Sequence, residues 1–153
     1  MLNTEFAISK LREFANDAEL QKQPFFLALG FIKPHLPFIF PEDFLQYYPE
    51  DMVKVPDNHY APYNMPKYAW SNFRELRGYL DASNESMGIP DLGLVNVTYP
   101  DYKVIELRRA YYSAISYVDY LVGKILDELT NLGLDESTIV SFVSRWRKLK
   151  LYQ

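Results

Sequence analysis

The sequence predicts an α/β fold, a mostly parallel sheet flanked by helices, laid out here as helix, strand, long loop, long helix, strand. Three observations carry that prediction. Phe25 to Ile32 is an almost unbroken apolar run bracketed by Pro24 and Pro34, the pattern of a strand covered on both faces. Tyr102 to Leu132 repeats apolar residues every three or four positions, the spacing of one helix face. Thr138 to Val143 is β-branched and apolar directly after that helix, which predicts a second buried strand.

In chain order, Thr4 suits an N-cap for a helix running to about Lys22, because its hydroxyl can accept from an unpaired backbone amide. Phe6, Ile8, Leu11, Phe14, Ala15 and Ala18 then fall on one stripe, with Lys10, Arg12, Glu13 and Asp17 outside it. After the first strand come Lys33, Pro34 and His35. Pro34 biases Lys33 towards extended geometry. In an extended chain Lys33 and His35 project to the same side, their Cα atoms roughly 6 to 7 Å apart. Two groups able to carry positive charge at the carboxyl end of a buried strand predict an anion site.

Residues 37–100 are rich in Pro and Tyr and weakly periodic. Glu42 and Asp43 after Pro41 predict one or two helical turns. A short helix is expected within Trp70 to Leu80, and turns at Gly88 and Gly93. A loop this long in a compact domain usually covers a site, and its aromatic content predicts an ordered covering rather than a linker. The long helix follows, with Val104, Leu107, Tyr111, Ala114, Val118, Leu121, Ile125, Leu129 and Leu132 facing inward and Gly133 as its C-terminal cap.

Length and composition narrow the function. At 153 residues with a net charge of −4, the chain is one domain or part of one, and its acidic balance excludes a general nucleic-acid binder. It has no cysteine, which removes disulfides, thiolate zinc sites and cysteine nucleophiles. No apolar run reaches the roughly 20 residues that span a bilayer, and no signal peptide is recognised at the N-terminus. Asn84-Glu85-Ser86 and Asn96-Val97-Thr98 are glycosylation sequons in loop-like sequence, making Asn84 and Asn96 candidate glycan acceptors if the chain enters the secretory pathway.

The run from Phe25 through Lys33-Pro34-His35 to Phe38 resembles the lysine–proline–histidine segment of the sulfatases. Arg108 to Leu126 is similar to the long helix that precedes the last metal-binding strand of that family, and Thr138 to Ser144 resembles that strand. The resemblance implies a partial alkaline-phosphatase-like fold over residues 1–144. It also implies that the intact parent hydrolyses sulfate esters, with sulfated glycans of the glycosaminoglycan type as substrate, in a lysosomal or secreted setting. The family uses a formylglycine made from cysteine, or from serine in some bacterial members, and a divalent metal, calcium in the lysosomal enzymes. His35 matches the histidine that contacts the sulfate, and Lys33 matches its neighbouring lysine. An ordinary imidazole, with a pKa near 6.5, is mostly cationic at about pH 5, so sulfate binding is expected to weaken as pH rises.

The departures from the family matter as much. No Cys or Ser stands in the nucleophile context, with Pro two residues on and Arg two beyond that. The paired aspartates of the family's N-terminal part are absent. Where the family continues Asp-His-Gly, this chain has Arg145-Trp146-Arg147, which is incompatible with a hard cation. Residues 145–153 are therefore expected to be an unrelated basic tail, and the chain an internal sulfatase segment binding no cofactor by itself and inactive alone. The alternatives are a non-catalytic anion-binding or interaction protein, or a non-functional truncated product.

The remaining candidates receive blander readings. His59 with Asp57 offers too few ligands for a metal, and a turn is preferred. Asp119 is read as a surface or ion-paired residue of the long helix. Arg108 and Arg109 are read as solvating the helix start rather than gripping a loop, and Tyr111, Tyr112, Tyr117 and Tyr120 as packing.

Overall fold

A computed structural model of the chain describes residues 2–17, 23–58 and 60–143. Helix α1 spans Leu2–Asn16, the short α2 Asn84–Met87, and α3 Asp101–Asn131. Between α1 and α3 the regular structure besides α2 is 3-10 turns, at Glu42–Tyr47, Glu50–Met52, Lys67–Ala69, Leu76–Gly78 and Leu80–Ala82, with another at Asp135–Ser137. The described residues form two compact units: residues 2–44 with 113–143, and residues 45–112.

The expected parallel sheet is not there: no strand occurs among the described residues. Residues 25–32 are extended nonetheless. Phe25, Leu27, Leu29 and Phe31 are half-buried while Phe26, Ala28, Gly30 and Ile32 are exposed, the alternation of a strand with one face inward. A strand is completed only by a neighbouring ladder of peptide groups. Here Gly30 offers its carbonyl to the Asn3 side-chain amide at 3.1 Å, and Ile32 offers its carbonyl to the His35 amide at 3.1 Å. Residues 138–143 likewise form no strand, but without the alternation: Ile139 to Val143 are all exposed, Ile139 at 93% and Val143 at 88%. Strand pairing is non-local, and no ladder forms on either segment among the described residues.

In the first unit, α1 begins at Leu2 rather than after a cap at Thr4. Thr4 lies inside the helix and is buried with Ala7 and Leu11, while Ile8, Phe14 and Ala15 are half-buried. The inward stripe is therefore rotated from the expected one and leaves Phe6 61% exposed. The helix ends at Asn16; the expected continuation over residues 18–22 lies outside the described residues. Phe14 stacks on Phe25 with ring centroids 5.0 Å apart, seating α1 against the extended segment.

The long helix follows its sequence pattern closely. Val104, Leu107, Ala114, Leu121 and Leu129 are buried, and Tyr111, Val118, Ile125 and Leu132 are half-buried. Gly133 ends it at φ +66°. The Leu134 amide returns to the Leu129 carbonyl at 2.9 Å and the Gly133 amide to Thr130 at 3.0 Å, the paired bonds of a Schellman cap.

The second unit has its own packed interior. Val53, Leu76, Ala82, Leu92, Tyr99, Val104 and Leu107 are buried. Trp70 Nε1 donates to the Gly93 carbonyl at 3.0 Å, and the Tyr99 ring meets Phe73 edge-on at 5.8 Å. Gly93 sits at φ +97°, where a Cβ would lie 2.6 Å from the Asn72 carbonyl oxygen; glycine is required there by both conformation and space.

Candidate functional site

The candidate site is the turn at residues 33–37, in the first unit. Its Lys33–Pro34 and Leu36–Pro37 peptide bonds are cis. Lys33 and His35 are brought together, but not as two head groups projecting side by side. The His35 amide bonds back to Ile32, closing a turn instead of continuing an extended chain. The Lys33 ammonium then folds over that turn, donating to the His35 carbonyl at 3.3 Å and to the Pro37 carbonyl. His35 Nδ1 lies 2.9 Å from the Leu36 carbonyl oxygen. A carbonyl only accepts, so Nδ1 carries the proton in this bond. Three consecutive carbonyls are thus engaged, the outer two by Lys33 and the middle one by the imidazole. Both side chains are half-buried and Leu36, which follows His35, is buried, which anchors the turn.

Lys33 and His35 are groups able to carry positive charge. With Nδ1 turned to the main chain, the second ring nitrogen is Nε2. An imidazolium donates there while a neutral ring of this tautomer accepts, so an oxyanion is met by the charged form. Among the described residues no three His, Asp or Glu side chains come together. The described residues do not fit the calcium site that the resemblance implies.

The other candidates separate clearly. Asn84 is half-buried: its Nδ2 donates to the carbonyls of Pro90 at 2.7 Å and Leu92 at 3.3 Å, while Oδ1 accepts from Arg77 at 3.2 Å. Asn96 is exposed at φ +63°, and its Oδ1 accepts from the Ala61 amide at 2.9 Å. Asp119 is exposed on α3. His59 and the tail from residue 145 lie outside the described residues.

Sequence reasoning missed two ionic anchors of the second unit. Arg109 does grip a loop, donating from Nε to the Tyr48 carbonyl at 2.6 Å and from Nη1 to Glu50 at 2.7 Å. Arg108 instead folds along its own helix, Nη2 reaching the Tyr112 hydroxyl at 2.8 Å. Lys103 is 3% exposed and pairs with Asp81 at 3.1 Å and Glu106 at 3.0 Å. Burial works against its charge, but the hydrogen bonds to Glu106 and Asp81 outweigh it and hold its pKa above the ordinary lysine value. The spacing of Lys103 and Glu106 along a helix hinted at that pair; the distant Asp81 left no local trace.

The family profile described as Sulfatase matches residues 3–144. The chain is 32% identical to human iduronate 2-sulfatase over 142 residues, covering 93% of this chain and 24% of that protein. It is 34% identical to the mouse iduronate 2-sulfatase over 143 residues, with the same shares covered. A sulfatase of Formosa agariphila is 30% identical over 129 residues, 78% of this chain and 21% of that protein. The chain thus spans about a quarter of the length of the curated relatives it matches. The chain belongs to the sulfatase family.

Proposed function

We propose that this chain is the sulfate-recognising segment of a sulfatase that hydrolyses sulfate esters on a glycosaminoglycan-type glycan, in a lysosomal or secreted setting, with His35 as its sulfate contact. The observation that carries this reading is the fixed imidazole of His35, 2.9 Å from the Leu36 carbonyl, within residues that the family profile matches. By itself the chain binds sulfate without turning over an ester. The test is a sulfate titration of the 153-residue chain, against chloride at equal ionic strength, followed through the imidazole resonances. A saturable response that disappears in His35→Ala is expected. No response, or one that His35→Ala leaves intact, overturns it. Measurable hydrolysis of a chromogenic sulfate ester, abolished by His35→Ala, would overturn the inactivity of the isolated chain.

A second reading, a product without function of its own, is favoured by the apolar side chains exposed on the extended segments: Phe26 at 90%, Ile32 at 80%, Ile139 at 93% and Phe142 at 75%. Such edges invite association rather than catalysis. Of the two sequons, Asn96 is proposed as the glycan acceptor. Asn84 is committed to its hydrogen bonds.

A further inference from the structure

We infer that Arg108 is a further anion contact, one that takes the carboxylate of a uronate sugar; this rests on the acidic-glycan reading given above. Arg108 stands on α3 within the second unit. Its cationic neighbours on that helix are both matched with acids, Lys103 with Asp81 and Glu106, and Arg109 with Glu50. Arg108 meets no carboxylate among the described residues. Its Nη2 donates to the Tyr112 hydroxyl at 2.8 Å, and the guanidinium carbon lies 5.7 Å from the centroid of that ring. Its Nε is sealed from solvent with no hydrogen-bond partner. A buried donor on a charged group that neither water nor protein satisfies is costly, and an anion elsewhere on the same group offsets that cost. The side chain as a whole is half-buried and Nε is its one sealed, unpartnered nitrogen, so the guanidinium reaches solvent through Nη1. A guanidinium holds five N–H donors in one plane. With Nε enclosed and one Nη2 proton on Tyr112, both Nη1 protons and the second Nη2 proton remain. A carboxylate takes one from each terminal nitrogen, the paired geometry that arginine favours. The surroundings suit a sugar better than an acidic peptide side chain. Tyr112 belongs to a cluster of rings, 5.4 Å from Tyr48 and 6.2 Å from Tyr111, and all three are half-buried. Such rings pair an apolar body, which packs on the C–H face of a pyranose, with a polar hydroxyl.

The experiment uses the whole chain and a sulfate-free tetrasaccharide of alternating glucuronate and N-acetylglucosamine, with its carboxyl-reduced counterpart as control. The Nε–H resonance of Arg108, assigned by its absence in Arg108→Lys, is followed in ¹H–¹⁵N spectra. A saturable shift with the acidic tetrasaccharide and none with the reduced one is expected. Arg108→Lys, read through the backbone amides of residues 108–112, is expected to bind about tenfold more weakly, because an ammonium keeps the charge but not the paired donors. No shift in the wild type, or the same shift with the reduced sugar, overturns the inference even if Arg108→Lys fails to fold. Unchanged affinity in a folded Arg108→Lys overturns it too. So does tighter binding at this resonance by inorganic sulfate, which would make Arg108 a sulfate contact, or by N-acetyl-aspartate amide, which would make it a seat for an acidic protein side chain. If Arg108 takes up the uronate while the imidazole resonances never respond to sulfate, this contact stands and the sulfate reading of His35 alone is refuted.

Discussion

The Tyr99 hydroxyl donates to the Ala82 carbonyl at 2.7 Å, from a side chain only 3% exposed. Burial, with Asp81 adding and Arg77 opposing, pushes the phenol up from 10.0 to about 12. A proton held more tightly in the folded than in the unfolded state contributes stability that is complete below pH 10, and that contribution is lost as pH rises towards 12. The raised Lys103 value acts in the same direction. Alkaline unfolding monitored by near-UV circular dichroism is expected in that window, with a gentler pH slope in Tyr99→Phe. At neutral pH the same variant is expected to lose about 1–3 kcal/mol, because the Ala82 carbonyl stays buried without its donor. An unchanged alkaline midpoint in Tyr99→Phe, with a normal slope, contradicts this role.

Gly133 and Gly93 are expected to resist substitution for different reasons. Gly133→Ala places a Cβ at φ +66° with open space around it, so only the left-handed backbone cost of about 1–2 kcal/mol applies. Gly93→Ala adds a clash with the Asn72 carbonyl at 2.6 Å and should be the more damaging. Urea denaturation of the two variants checks the order; equal losses would mean that the Asn72 loop moves aside freely.

Arg109→Ala is expected to loosen the loop around Glu50 by removing the bonds to Tyr48 and Glu50. Glu50 is 77% exposed as a side chain, so the screened ion pair contributes little and the Tyr48 carbonyl bond dominates, about 1–2 kcal/mol in all. Amide exchange of residues 50–53 should accelerate while that of 121–131 does not. Arg109→Lys should recover only part of the protection, because a lysine lacks the planar fork that reaches two acceptors at once.

Exposed apolar side chains on the two extended segments predict concentration-dependent association of the chain. Light scattering should register it, and Phe26→Lys with Ile139→Lys should reduce it, since charges on unpaired edges oppose strand addition. A monodisperse monomer at high concentration would refute the expectation.

Expression in a secretory host should place a glycan on Asn96 and none on Asn84. Asn96→Gln is then expected to remove the added mass. Asn84→Gln is expected to leave it, while lowering stability through the lost bonds to Pro90, Leu92 and Arg77. Peptide mapping that finds a glycan on Asn84 in the folded chain would reverse the assignment.

Features with a local cause were legible in the sequence. α3 and its cap were read within a residue at each end, because a periodic apolar face and a C-terminal glycine act over a few positions. The 3-10 turn after Pro41 followed in the same way. The Lys33-Pro34-His35 motif pointed to the family. On α1 the expected stripe held at Ile8, Leu11, Phe14 and Ala15, while Phe6 looked like a core residue and Ala7 did not. Which side of a helix turns inward depends on its neighbours, and the structure buries the small side chain and leaves the ring exposed.

By itself, then, the sequence determined the helices, the extended character of residues 25–32 and 138–143, and membership in the sulfatase family. The tertiary structure alone decided that those segments form no strand among the described residues, that Arg109 holds Glu50, and that the Lys33 ammonium closes on the carbonyls of its own turn. The reason is physical: helix periodicity and turn chemistry are written in neighbouring residues, whereas strand pairing and the choice of partner for a long cationic side chain depend on which acceptors the folded chain brings within reach.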